Sequence, residues 1–123
     1  MDYTEKFCDT IQEFLADLIK VFPEDTDMQL YHVGLKGLCM MCPEKVYREF
    51  YDSVTVPYYE RIRVKDEEFF MNHDFNDVKE VPDGVRILNK TLGYWKSLKP
   101  DDKEAVWKYL RVLCTLSKKI IEV

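Results

Sequence analysis

The last quarter of the chain, Trp95-Lys-Ser-Leu-Lys-Pro-Asp-Asp-Lys-Glu-Ala-Val-Trp-Lys-Tyr-Leu-Arg-Val-Leu-Cys-Thr-Leu-Ser-Lys-Lys-Ile-Ile121, decides the fold class. Pro100 stands where a first helical residue needs no N–H, and Asp101, Asp102 and Glu104 load the first turn with negative charge. Val106, Trp107, Leu110, Leu113, Cys114, Ile120 and Ile121 recur at spacings of three and four, while Lys103, Lys108, Arg111 and Lys118 fall elsewhere on the wheel. This is an amphipathic helix with an apolar side that other helices must cover. The sequence predicts an all-α protein, a compact bundle of five to six helices forming one domain over residues 1–123.

The opposite end repeats the signal. Tyr3 to Phe22 predicts a first helix with Phe7, Cys8, Ile11, Phe14, Leu15, Leu18, Ile19 and Phe22 on one stripe, and Pro23 ends it. Glu24 to Asp27 is a polar connection, with Thr26 or Asp27 as the cap of a second helix running to about Leu38. Gly34 and Gly37 each weaken that helix by ~1 kcal/mol relative to alanine, or else admit another backbone at close range.

Cys42-Pro43-Glu44 predicts the start of a third helix, with Val46, Tyr47, Phe50, Tyr51 and Val54 on its apolar side. Between Ser53 and Val64, Pro57 and the absence of a partner strand favour a kinked or restarted helix over a strand. Lys65 to Met71 reads as a short helix. Asn72 to Pro82 reads as a connection with Phe75 and Val78 tucked in, and Asp83 to Leu98 regains helical spacing through Val85, Leu88, Leu92 and Trp95.

Charge and composition exclude several roles. The 123 residues carry 18 Lys and Arg against 23 Asp and Glu, a formal charge of −5, which has the wrong sign for neutralising phosphates, so no nucleic-acid partner is expected. No apolar run approaches the roughly 20 residues that span a bilayer, and Met1-Asp-Tyr-Thr-Glu-Lys lacks the basic and apolar regions of a leader. The expected location is cytoplasmic, with Cys8, Cys39, Cys42 and Cys114 reduced.

Cys39-Met-Met-Cys42 is the one chemically suggestive motif, because two thiols at that spacing can form a small redox disulfide and a cysteine at a helix start feels a favourable dipole. A thioredoxin-like fold would need strands. The motif resembles that of helical flavin-dependent sulfhydryl oxidases, but those carry a His-Asn-containing helix near their end. Here His32 and His73 lie far from the last helix. Zinc would need two further ligands, for which His32, His73, Cys8 and Cys114 are the candidates and none forms a second ligand pair. Asn72-His-Asp74-Phe-Asn76-Asp77 begins like a calcium loop and fails, because Asp77 occupies the glycine position and Asp83 the glutamate position.

No nucleophile elbow, zinc-protease motif or phosphate loop is present, and Glu67-Glu68 and Asp101-Asp102 read as solvated helix starts. Acidic neighbours cancel the field of Tyr58, Tyr59, Arg61, Arg63 and Lys65 as a stacking groove.

Eight Tyr, seven Phe and two Trp exceed what a bundle of this size buries. Half-exposed tyrosines suit protein interfaces, which makes Tyr47, Tyr51, Tyr58, Tyr59 and Tyr94 the candidate partner-binding residues, with ordinary boundary positions as the alternative.

The early Phe14-Leu-Ala-Asp-Leu-Ile-Lys-Val-Phe22-Pro23, the middle Asp66-Glu-Glu-Phe-Phe70 followed by Asp74-Phe75, and the late Trp95 with Lys103-Glu-Ala-Val-Trp107-Lys-Tyr109-Leu110 together resemble small helical proteins of nucleocytoplasmic large DNA viruses, algal viruses included. That resemblance implies a virus-encoded minor virion or accessory component that binds other proteins, in host cytoplasm or virion, with no assigned catalytic residues. The leading expectation is therefore a non-enzymatic interaction or structural protein without a cofactor, whose partner is another protein: a second copy in a homo-oligomer, or virion proteins. A thiol oxidoreductase using Cys39 and Cys42 is the alternative, and a zinc-stabilised scaffold the third.

Overall fold

The computed structural model describes residues 2–72 and 83–122. Among these, helix dominates and no strand occurs, so the all-α bundle is the observed architecture. The connection expected between Asn72 and Pro82, with Phe75, Val78 and most of the rejected calcium loop, lies outside the described residues apart from Asn72.

Helix α1 (Tyr3–Val21) starts on Asp2, whose carboxylate accepts the N–H groups of Thr4 at 3.0 Å and Glu5 at 3.2 Å. Its stripe of Phe7, Ile11, Phe14, Leu15 and Leu18 is buried. Most of that burial is against α7 (Pro100–Ile121), which begins at Pro100 as its charge pattern requires and buries Val106, Leu110, Leu113 and Cys114. Phe14 stacks on Tyr109 at 5.1 Å between ring centroids, and the Tyr109 hydroxyl donates to Asp17. These two long antiparallel-patterned stripes form the seam on which the rest is assembled.

Helix α2 (Thr26–Met41) departs from expectation at both ends. Its cap is Asp25, not Thr26 or Asp27, because Asp25 has extended backbone and its carboxylate reaches the Met28 N–H at 3.0 Å. The helix also continues past Leu38 to Met41. Cys42 closes it by donating its N–H to the Leu38 carbonyl at 2.7 Å, and in the same step caps α3 (Pro43–Phe50).

The region around Pro57 forms one continuous rod of α3, a π-helical turn over Tyr51–Thr55, and α4 (Val56–Arg63). In an α-helix the Pro57 ring would collide with the carbonyl four residues back. Here the Val56 N–H bonds to the Tyr51 carbonyl, so the register has already widened by one residue when the proline arrives. The same shift buries two consecutive side chains, Val54 and Thr55, and the Thr55 hydroxyl meets the Ser117 hydroxyl of α7 at 2.8 Å.

The rod ends at Lys65, which has φ 53° in the left-handed region usually held by glycine. Its ammonium reaches Glu104 of α7 at 2.6 Å. Asp66 then caps α5 (Glu67–Asn72) through the Phe69 N–H at 3.1 Å. The helix expected from Asp83 to Leu98 is divided: α6 (Asp83–Gly93) stops at its glycine, and Trp95–Ser97 forms a 3₁₀ turn. That break turns Trp95 inward, edge-on to Trp107 at 5.3 Å, with its indole N–H donated to Glu67. Counting α3, the π turn and α4 as one rod, six helical rods result among the described residues.

Candidate functional site

Helix α2 differs from its neighbours in carrying few charges and an apolar surface wider than its narrow polar stripe of Gln29, His32 and Lys36. Within Thr26–Met41 the only charged residues are Asp27 and Lys36. One side, Met28, Leu35, Tyr31 and Cys39, packs against the core of the bundle. On the other side Leu30, Val33, Met40 and Met41 are 72, 68, 86 and 87% exposed, with Leu38 at the flank. Contiguous exposed apolar surface of this kind marks a contact site.

Helical geometry aligns the exposed side chains. Positions 30, 33, 34, 37, 40 and 41 follow the three-and-four spacing of one face. Gly34 and Gly37 occupy its middle, and a Cβ built at either would meet nothing within 4 Å. The face is therefore a ridge with bulky ends and a low centre. Beside it runs a groove of about 820 Å³, floored by Leu15 and Leu18 of α1 and by Met28 and Leu35, with Leu30 and Leu38 among its lining.

One end of the groove is anchored by Asp25. Its carboxylate, 5% exposed, accepts from the Met28 N–H, from Lys90 Nζ at 3.1 Å and from the Tyr94 hydroxyl at 2.6 Å. These donors, led by Tyr94, hold the Asp25 carboxyl down at about 2, and the same bonds raise Tyr94 and Lys90. Lys90 also lies 3.6 Å from Asp27 at the groove's edge. The start of α2 is thus pinned to α6 by a charge-assisted cluster.

The five tyrosines are all half-buried and engaged within the molecule. Tyr47 packs on the core, Tyr51 donates to Glu122 at 2.8 Å, Tyr58 lies against Phe69 and Phe70, and Tyr59 sits under the Lys118 ammonium at 4.3 Å. Tyr94 stacks on Phe22 at 3.9 Å. They are spread over α3, the π turn, α4 and the end of α6, and none lies on α2. The exposed face of α2 could not be told from a buried one in the sequence, because Gln29, His32 and Lys36 already give the helix a polar stripe and the covering of its remaining sides is a matter of packing.

The cysteines arrange themselves differently from the motif. Cys42 stands at the start of α3, as its Pro43 neighbour requires, whereas Cys39 lies in the last turn of α2 with its free thiol hydrogen-bonded to the free thiol of Cys8 on α1. Burial, reinforced by Cys39, pushes the Cys8 thiol up to about 12, and burial does the same to Cys114. His32 bonds to the Gln12 backbone, and its imidazole is held below the ordinary value by burial and by Lys36. Among the described residues no three His, Cys, Asp or Glu side chains converge as a metal site, and no helix is long and apolar enough to cross a membrane. His73 lies outside them.

Fold and geometry together define the class: an all-α bundle with one uncovered apolar helix face. Comparison with protein-family models, with curated proteins and with solved structures finds no match.

Proposed function

We propose that the protein is a non-enzymatic interaction or structural protein that engages another polypeptide through the outer face of α2. The observation that carries this reading is the uncovered apolar ridge of Leu30, Val33, Met40 and Met41 beside a preformed groove. Exposing four large apolar side chains on one helix forgoes about 1.5–3 kcal/mol of burial for each, which covering by a partner would recover in part. The resemblance to viral helical proteins supplies a setting, a virion or an infected cytoplasm, in which small accessory chains act by such contacts. Contact through Tyr47, Tyr51, Tyr58, Tyr59 and Tyr94 is the weaker form of the proposal, since four of the rings are packed internally and the Tyr51 hydroxyl is engaged by Glu122.

A benzophenone amino acid replacing Met40 tests the reading, with Arg111 on the exposed side of α7 as the control position. Irradiation in cells producing the protein is expected to give a covalent adduct with a polypeptide from position 40 and little from 111. Absence of any polypeptide adduct from position 40 overturns it.

The thiol oxidoreductase is the second reading, supported by Cys42 at the start of α3. It requires Cys39 and Cys42 to be the pair that oxidises. After treatment with diamide, peptide mapping that finds a Cys8–Cys39 link instead removes it.

A further inference from the structure

We propose that the occupant of the α2 face is a second copy of this chain, paired through an antiparallel α2–α2 contact about a two-fold axis midway between Gly34 and Gly37. The inference rests on the reading of α2 as a binding face and adds the identity of the partner.

The face is self-complementary along much of its length. In an antiparallel pair centred there, Leu30 of one copy lies opposite Met41 of the other and Gly34 opposite Gly37, with Val33 and Leu38 on the two flanks. Both glycine positions have open space where a Cβ would stand, so the two backbones can approach closely at the crossing. The same operation brings Met41, with Met40 one of the two most exposed large apolar side chains among the described residues, over the partner's Leu30, which lines its groove. Methionine is unbranched and flexible, suited to filling an irregular apolar groove. Knob and hole thus sit at opposite ends of one helix, as an isologous contact requires.

The area reaches the lower end of what specific pairing needs. With full side-chain areas of about 150–200 Å² each, the exposures of Leu30, Val33, Leu38, Met40 and Met41 amount to at most roughly 600 Å² per copy, or about 1,200 Å² across the pair when covered in full, the lower bound of specific interfaces. A pair of this size is reversible, so its population depends on concentration. The net charge of −5 disfavours an anionic membrane surface as the occupant.

The test is sedimentation equilibrium of the full chain over a wide concentration range, with Val33→Glu and Gly34→Leu variants and their thermal melts at low concentration. The expected wild-type mass rises to a plateau at twice the 14.8 kDa of the chain. Val33→Glu, on a side chain 68% exposed, is expected to stay folded and to raise the dimer dissociation constant about a hundredfold by placing a carboxylate in the apolar contact. Gly34→Leu is expected to weaken pairing by blocking the crossing although it makes the face more apolar. A wild-type chain monomeric throughout overturns the inference, as does a mass climbing beyond two copies without a plateau, or a Gly34→Leu variant that pairs more tightly. A monomeric chain that still gives an unlike polypeptide adduct from position 40 separates this failure from failure of the binding reading. Binding of the monomer to phosphatidylcholine vesicles, abolished by Val33→Glu, would assign the face to lipid and overturn it as well.

Discussion

The α1–α7 seam and helix α2 use the same kinds of residue to opposite ends. Along the seam, apolar stripes alternate with charged positions, each stripe meets the other, and Phe14, Leu113 and Cys114 are lost from solvent. In α2 the apolar residues exceed what α1 and α3 together cover, and about half remain on the surface. A narrow apolar stripe is covered by a single facing helix, whereas an apolar surface as wide as that of α2, at the edge of the bundle, is left partly in water, where it suits contact with a further polypeptide.

Mutations can break or sharpen that contrast. The largest effect belongs to the seam: Leu113→Ala, at a fully buried position of α7, should lower unfolding free energy by about 2–5 kcal/mol in urea titration, because a cavity replaces a packed side chain. A loss below about 1 kcal/mol would show that the seam is not the centre of the core.

Next comes Asp25, where α2 is held rather than covered. Asp25→Asn should cost on the order of 2 kcal/mol at neutral pH through weakened bonds to Lys90, Tyr94 and the Met28 N–H. The sign follows from the carboxyl being held at about 2, below its unfolded value near 3.9. Its stabilisation is complete above the unfolded value and is lost as pH falls from about 4 through 2. Urea titrations across that window should show wild type losing stability that the Asn variant never had.

Smaller and of opposite sign is Gly37→Ala on the uncovered face. With nothing within 4 Å of the added Cβ, the isolated chain should gain about 0.5–1 kcal/mol from helix propensity, read as a higher Tm in dilute solution. Smallest of all, Leu30→Ala should change dilute-solution stability by less than about 0.5 kcal/mol, since that side chain is already in water. Destabilisation by several kcal/mol would mean that Leu30 is part of the core after all.

Much of the fold was legible because its elements are bounded by local chemistry. Pro100 with its acidic first turn, Pro23 behind α1 and Pro43 behind Cys42 each set a helix boundary within a residue or two of where it stands. Three features were not legible. The π turn before Pro57 depends on Val54 and Thr55 both finding space against α7. The Asp25 cap won over Thr26 and Asp27 because Lys90 and Tyr94, 65 and 69 residues away, lie beside its carboxylate. The thiol facing Cys39 is that of Cys8, brought by the packing of α1 on α2, a pairing that the spacing of Cys39 and Cys42 does not contain.

The candidate site divides in the same way. By itself the sequence determined that this chain forms amphipathic helices around one apolar seam, because helix periodicity and caps are properties of residues a few positions apart. Only the tertiary structure decided which apolar stripe would be left over. Leu30, Val33, Met40 and Met41 have the same composition as a buried stripe, and their exposure follows from the number of neighbours α2 has, a property of the packing of distant segments that no local pattern encodes.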